Sequence, residues 1–185
     1  VITGAARTAM GGMNGALSGM AATQLGAESI RAALARSGVA AQAVDEVIMG
    51  CVLPAGLKQA PARQAALGAG IPESAGCTTI NKVCGSGMQA LMFAHDQLKA
   101  GSNGIMVAGG MESMSNAPHV LKSARWGNKM GDMVMLDAML ESLQDPFGHG
   151  HMGLTWGPTT GRLLSEIIAG KPQNMDLTPF RANRF

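Results

Sequence analysis

The sequence has few aromatic residues and few charges. Its 185 residues include no Tyr, two Trp and four Phe, and Asp, Glu, Lys and Arg together make up 14%. The 14 basic and 12 acidic side chains leave a net charge of only +2. Nucleic-acid binding needs clustered basic charge for the phosphates and, for single strands, aromatic rings on which bases stack. We therefore expect no nucleic-acid partner.

Long apolar runs and paired cysteines are also lacking. A helix needs about 20 apolar residues to cross a bilayer, and no apolar stretch in the sequence is nearly that long. The N-terminus shows no basic region followed by an apolar stretch. The three cysteines, Cys51, Cys77 and Cys84, are an odd number without a C-x-x-C pair, which argues against a disulfide scaffold or a zinc site. These absences predict a cytoplasmic, soluble protein without a membrane segment, a secretory signal or a metal.

What is present is a globular composition with an alternating pattern. Hydrophobic residues make up 46% of the chain, which is long enough for one domain with a buried core. Apolar runs alternate with helical spacings, which predicts an α/β fold. Strands are predicted at 44–52, 78–83 and 105–108, and helices at 21–37, 60–68, 85–99, 161–169 and near 132–142. The stretch 111–150 has weaker periodicity and is predicted to be an excursion from the sheet.

One cysteine lies where a helix is predicted to begin. The segment Asn-Lys-Val-Cys-Gly-Ser-Gly-Met at 81–88 takes a strand-like run into a turn at Cys84, and a helix follows at once. The start of a helix stabilises a thiolate by its partial positive charge, and its N–H groups are placed to hold an oxyanion. The alternative is that Cys84 is a small buried apolar residue and the glycines merely permit the turn. Cys51, inside an apolar strand, is predicted to be core.

The residues around Cys84 resemble a known family. The segment NKVCGSGMQAL is similar to the nucleophile segment of the thiolases, the acetyl-CoA acetyltransferases. Residues 5–12 resemble the opening strand and loop of that family, and 47–72 the strand, loop and helix before the nucleophile. Residues 108–118 resemble the motif after the next strand, and 151–155 the close of the loop domain. The resemblance covers residues 1–155 in collinear order.

This resemblance implies a fold and a chemistry. The fold is a thiolase-like three-layer αβα sandwich with a mixed sheet, one half of the usual pair, and a loop domain at about 111–155. By resemblance Cys84 takes an acyl group from acetyl-CoA or another acyl-CoA as a thioester. Leu143, His151 and Met152 occupy the places where the loop domain contacts the pantetheine arm and the acyl group. The coenzyme A thioester is then the substrate, and no further cofactor is expected.

The chain also departs from the family. Its length suits one of the two similar thiolase halves, and it contains no Asn-Glu-Ala-Phe, Gly-His-Pro or second Cys-x-Gly motif. We therefore expect impaired catalysis, with a non-catalytic half-thiolase module as the alternative. A homo-oligomer is expected because helices that should lie between two sheets would otherwise face water. Residues 156–185, a foreign helix and extended tail, resemble the C-terminal end of FAD-dependent amino-acid oxidoreductases, and a fragment of such an enzyme is a further alternative.

Overall fold

Three parallel strands form the centre of the fold. The computed structural model of the chain describes residues 1–144, and the chain divides into two compact units, Val1–Ser142 and Leu143–Phe185. In the first unit the strands are β1 (Glu46–Gly50), β2 (Gly76–Ile80) and β3 (Met106–Gly110). The sheet order is β2-β1-β3, and β1 pairs with each neighbour in parallel. The central strand therefore has a partner on both sides.

Helices cover both faces of this sheet, which confirms the α/β fold. The helices are α1 (Ala22–Ser37), α2 (Pro61–Gly68) and α3 (Ser86–Ala100). Successive residues of a strand point to opposite faces. Val47, Met49 and Cys51 belong to the buried cluster that contains the alanines of α1 and α2, whereas Gly50 lies against the start of α3. The sheet is thus the middle of three layers.

Residues close to the helix ends predicted the bounds of two helices to within one residue. The helices predicted at 21–37 and 85–99 are observed as α1 and α3, one residue later at the N-terminus in each case. Both end before a glycine in the left-handed conformation, Gly38 at φ 67° and Gly101 at φ 73°. A residue without a Cβ adopts that conformation without steric cost, so glycine closes a helix well.

The strand predicted at 78–83 is shifted towards the N-terminus. It is observed as Gly76–Ile80, because Asn81 accepts the N–H of Val83 through its side-chain oxygen at 2.9 Å and turns the chain. Val83 has a positive φ of 47°, which no strand residue adopts. The strand predicted at 105–108 begins one residue later and ends two residues later, as Met106–Gly110.

The helix predicted near 132–142 is only half formed. Its first part contains β5 (Leu136–Asp137), which pairs antiparallel with β4 (His119–Val120), and the helix α4 covers only Ala138–Leu143. The side chain of Asp137 accepts the N–H of Met139 at 2.8 Å, so the helix begins after Asp137. The three-stranded sheet is all parallel, and the antiparallel pair is separate from it. The helix predicted at 161–169 and the boundary at 155 lie outside the described residues.

The opening segment does not form the strand that the resemblance implied. Residues 1–10 have no regular structure. Arg36 donates to the carbonyl of Ala5 at 2.7 Å, and Gly4 lies so close to α1 that an added Cβ would be 2.6 Å from the carbonyl oxygen of Ala33. A cavity of about 710 Å³ separates this segment from β3. The segment therefore has no neighbouring strand with which to form a ladder.

Candidate active site

Cys84 lies between the end of β2 and the start of α3. It is exposed, so the alternative of a buried apolar cysteine is wrong. Gly85 precedes the helix, and no side chain caps the helix start. Within residues 1–144 the N–H groups of Gly87 and Met88 have no acceptor, whereas that of Gln89 donates to the carbonyl of Gly85 at 2.9 Å. Free donors therefore lie within a few residues of the thiol.

A hydrogen-bonded turn at residues 81–86, called the cysteine turn below, holds the backbone beside Cys84. Val83 is in the left-handed region at φ 47°, which costs a β-branched residue about 1–3 kcal/mol unless its surroundings impose it. Asn81 accepts its N–H at 2.9 Å, and the hydroxyl of Ser86 donates to its carbonyl at 2.5 Å. The same hydroxyl accepts the N–H of Lys82 at 2.8 Å, and Ser86 is only 4% exposed. The turn is therefore fixed from both sides of Cys84.

The start of α3 packs directly on the sheet. A Cβ added to Gly50, the last residue of β1, would lie 2.5 Å from the Cβ of Ser86. A Cβ added to Gly110 would lie 3.4 Å from the Cα of Gly87. A side chain at Gly50 would displace the helix start, whereas a Cβ at Gly110 would make an ordinary van der Waals contact, so Gly50 sets the position of the cysteine turn.

The three cysteines have different environments. Cys51 is 1% exposed, and its burial, followed by the negative charge and hydrogen bond of Glu112, raises the pKa of its thiol to about 12. Burial also raises the pKa of Cys77, which is half-buried. A neutral thiol is a poor nucleophile. Cys84 is the cysteine that faces solvent at a helix start, and Cys51 is core as predicted.

Of the other predicted site residues, the structure describes only Leu143. Leu143 is the last residue of α4 and is half-buried. His151 and Met152 lie outside the described residues, so their place near the acyl group stays a prediction. Among residues 1–144 no three His, Cys, Asp or Glu side chains come close enough together to hold a metal ion.

Four residues around the turn were not predicted: Asn81, Ser86, Gly50 and Glu112. A sequence signal existed for Asn81, since an Asn side chain commonly accepts the N–H of the second residue after it. The partners of Glu112 are about 60 residues away, so no local pattern reveals them.

One strand of this α/β sheet leads through an exposed cysteine into a helix, so the fold places a solvent-accessible thiol at a strand–helix turn. Comparison with known families assigns the chain further: the profile described as "Thiolase, N-terminal domain" matches residues 1–160. The chain belongs to the thiolase family, a family of acyltransferases.

Individual relatives agree with this assignment. The chain is 54% identical over 153 residues to acetyl-CoA acetyltransferase 2 of Arabidopsis thaliana, covering 82% of this chain and 38% of that protein. It is 52% identical over 156 residues to the acetyl-CoA acetyltransferase of Cupriavidus necator, covering 84% and 40%. It is 46% identical over 155 residues to a cytosolic acetyl-CoA acetyltransferase of Gibberella zeae, covering 83% and 39%. The chain thus spans about 40% of the length of the relatives it matches.

None of the helices in the described part is long and apolar enough to cross a membrane. The oxidoreductase resemblance of residues 156–185 falls outside the described residues and is matched by none of the relatives above, so it stays a prediction.

Proposed function

We propose that Cys84 forms an acyl-enzyme with acetyl-CoA, as the first step of acetyl-CoA acetyltransferase chemistry. The thiolate Sγ attacks the thioester carbonyl, a new carbon–sulfur bond forms, and the bond to the coenzyme A sulfur breaks. The coenzyme A thiolate leaves and takes up a proton from solvent. The observation that carries this proposal is the exposed thiol at the uncapped start of α3, in a chain of the thiolase family.

The helix start supplies two kinds of stabilisation. Its partial positive charge attracts the oxygen that becomes negative during attack, and its free N–H groups are donors for the same oxygen. Gly87 and Met88 carry the free N–H groups in the described part of the chain. The hydrogen bonds of Asn81 and Ser86 hold the backbone in place, so these donors need little reorganisation during the reaction.

Acetyl-CoA as the substrate is supported by the names of the relatives. We further propose that Leu143, His151 and Met152 contact the pantetheine arm or the acyl group, and that the thioester is used without another cofactor. The second half-reaction, in which a second acetyl-CoA attacks the acyl-enzyme, needs a base. No His, Asp or Glu side chain within residues 1–144 hydrogen-bonds Cys84, and general acid–base assistance is worth about 10²–10⁴-fold. We propose that acylation is the faster of the two half-reactions in this chain.

Mass spectrometry of the intact protein after incubation with acetyl-CoA tests the proposal. We expect the mass of one acetyl group to be added, and peptide mapping to place it on Cys84. The Cys84→Ser variant should lose the adduct, and the matched control Cys77→Ser should keep it. A folded protein that gains no adduct at Cys84, or gains it elsewhere, would contradict the proposal.

A second candidate, a non-catalytic module that self-associates, is favoured by one surface. Met88, Leu91 and Met92 are 68%, 43% and 53% exposed, and their spacing of three and four residues places them side by side along α3. We propose that this exposed apolar stripe is an interaction site between copies of the chain. Light scattering after size exclusion tests this: we expect an oligomer that Met88→Lys combined with Met92→Lys converts to a monomer. A monomeric parent protein would refute it.

A cytoplasmic location is part of the same proposal. It is supported by the lack of cysteine pairing among the three thiols and by the cytosolic relative of Gibberella zeae. Cell fractionation of the source organism tests it, and recovery in a secreted or organellar fraction would contradict it.

A further inference from the structure

Glu112 connects the ends of two strands. It lies two residues beyond β3, and its carboxylate accepts the N–H of Val52 at 2.7 Å and that of Leu53 at 3.1 Å. The thiol of Cys51 is a third donor, with its sulfur 3.6 Å from the carboxylate. One carboxylate therefore holds the three residues that follow β1.

The held segment is in turn bonded to the cysteine turn. The carbonyl of Val52 accepts a hydrogen bond from the side-chain nitrogen of Asn81 at 3.4 Å. The side-chain oxygen of the same Asn81 accepts the N–H of Val83 at 2.9 Å, and Cys84 follows. The amide of Asn81 thus bridges the segment held by Glu112 and the backbone next to the nucleophile.

We propose that Glu112 is a positioning residue for Cys84, acting through Val52 and Asn81; the inference rests on the proposed function of Cys84. Glu112 does not touch the substrate in this proposal. It fixes the loop after β1, the loop fixes the amide of Asn81, and that amide keeps Val83 in its left-handed conformation. Without this support the turn relaxes, and the thiol moves away from the free N–H groups of α3.

The chemistry of the site explains why a carboxylate is needed. All three groups facing Glu112 are donors, and an ionised carboxylate offers only acceptors. A Gln of the same shape would place an NH₂ group against at least one of them. The Glu112→Gln variant therefore keeps the size of the side chain and disturbs only the bonds to the loop.

The test measures alkylation of Cys84 in the folded full chain. The rate of reaction with iodoacetamide is followed against pH by peptide mass spectrometry, for the parent protein and Glu112→Gln. We expect the variant to react about two- to tenfold more slowly at pH 7, the size of coupling between neighbouring groups. The matched control is Glu28→Gln, which removes an exposed carboxylate paired with Arg31 on α1 and should leave the rate unchanged.

Two further variants separate positioning from general stability. Asn81→Ala should slow alkylation as much as Glu112→Gln, and the double variant should be no slower than either alone. A Glu112→Gln protein that melts earlier but keeps the rate and pH profile of Cys84 would overturn the proposal, as would multiplicative effects in the double variant. If Glu112→Gln does not fold, Glu112→Asp keeps the charge with a shorter reach, and a rate equal to the parent's would overturn it.

Using iodoacetamide as the probe also distinguishes failure of the positioning proposal from failure of the acyl-enzyme proposal. Iodoacetamide reacts with the thiol whether or not acetyl-CoA binds. Alkylation that depends on Glu112, in a protein that acetyl-CoA does not acylate, would refute the acyl-enzyme proposal and leave the positioning role intact.

Discussion

Replacing Gly50 by Ala should displace the cysteine turn, because the added Cβ would clash with the start of α3. A Cβ at this position would lie 2.5 Å from the Cβ of Ser86, 2.8 Å from its carbonyl carbon and 2.9 Å from the nitrogen of Gly87. Two of these neighbours are backbone atoms, so no side-chain rotation relieves the clash. Gly50 is itself held between Ile80 and Gly110 in the sheet, so the start of α3 is the part that has to move.

The cost follows from this geometry. Forcing an extra methyl group into a packed site typically costs about 1–3 kcal/mol in the free energy of unfolding. For a chain of this size each kcal/mol lowers Tm by about 2–4 °C, so we expect Tm of Gly50→Ala to fall by about 2–12 °C. Because the moving segment carries Cys84, alkylation of that thiol should slow as well. Thermal melting and the iodoacetamide assay measure the two effects on one sample.

A matched control separates the clash from the general effect of the substitution. An added Cβ at Gly19 would meet nothing within 4 Å, so Gly19→Ala should leave Tm and the alkylation rate close to those of the parent protein. A Gly50→Ala protein with the Tm and alkylation rate of Gly19→Ala would refute this prediction, since the start of α3 would then not rest on the end of β1.

Three further predictions follow from single groups. Ser86→Ala removes the acceptor of the Lys82 N–H and should cost about 1–3 kcal/mol in urea unfolding, whereas no loss would show that the turn holds without it. The N–H groups of Ile105 and Gly104 lower the pKa of Asp45. The contribution of this carboxylate to folding stability is therefore complete above its pKa in the unfolded chain, about 3.9, and is lost as the pH falls through its pKa in the folded chain. Asp45→Asn should therefore lower Tm at pH 7, with a difference that shrinks below about pH 4; a constant difference would contradict this. Cys51, with its pKa raised to about 12, should resist alkylation at pH 9 until urea unfolds the chain, and its contribution to stability should fall as pH rises from about 9 towards 12.

The sequence predicted elements whose ends depend on near neighbours. Gly38 and Gly101 end α1 and α3 because a left-handed residue closes a helix locally, whatever the rest of the chain does. The opening segment failed as a strand for the opposite reason. A strand needs a ladder partner, and a cavity separates residues 1–8 from the edge of β3. The early end of β2 depended on the side chain of Asn81, which hydropathy patterns do not weigh.

The candidate site likewise has one part that the sequence predicts and one part that it does not. The position of Cys84 at a helix start was predicted because the strand, turn and helix are contiguous in sequence. The residues that hold this turn in place were not predicted, because their contacts are distant in sequence. Gly50 contacts Ser86, 36 residues away, and Glu112 contacts Val52, 60 residues away. Long-range contacts of this kind depend on the strand order, and alternation of apolar residues does not determine that order.

Strand order explains why these distant residues meet at one place. β2 and β3 lie on opposite edges of the sheet, with β1 between them, so the connection through α3 has to pass over β1. The strands are parallel, and their carboxyl ends therefore meet at one edge. Each strand end then contributes a different support to the turn: Asn81 follows β2, Gly50 ends β1 and Glu112 follows β3. A change in any of the three should alter the alkylation rate of Cys84, although none of them lies next to it in the sequence.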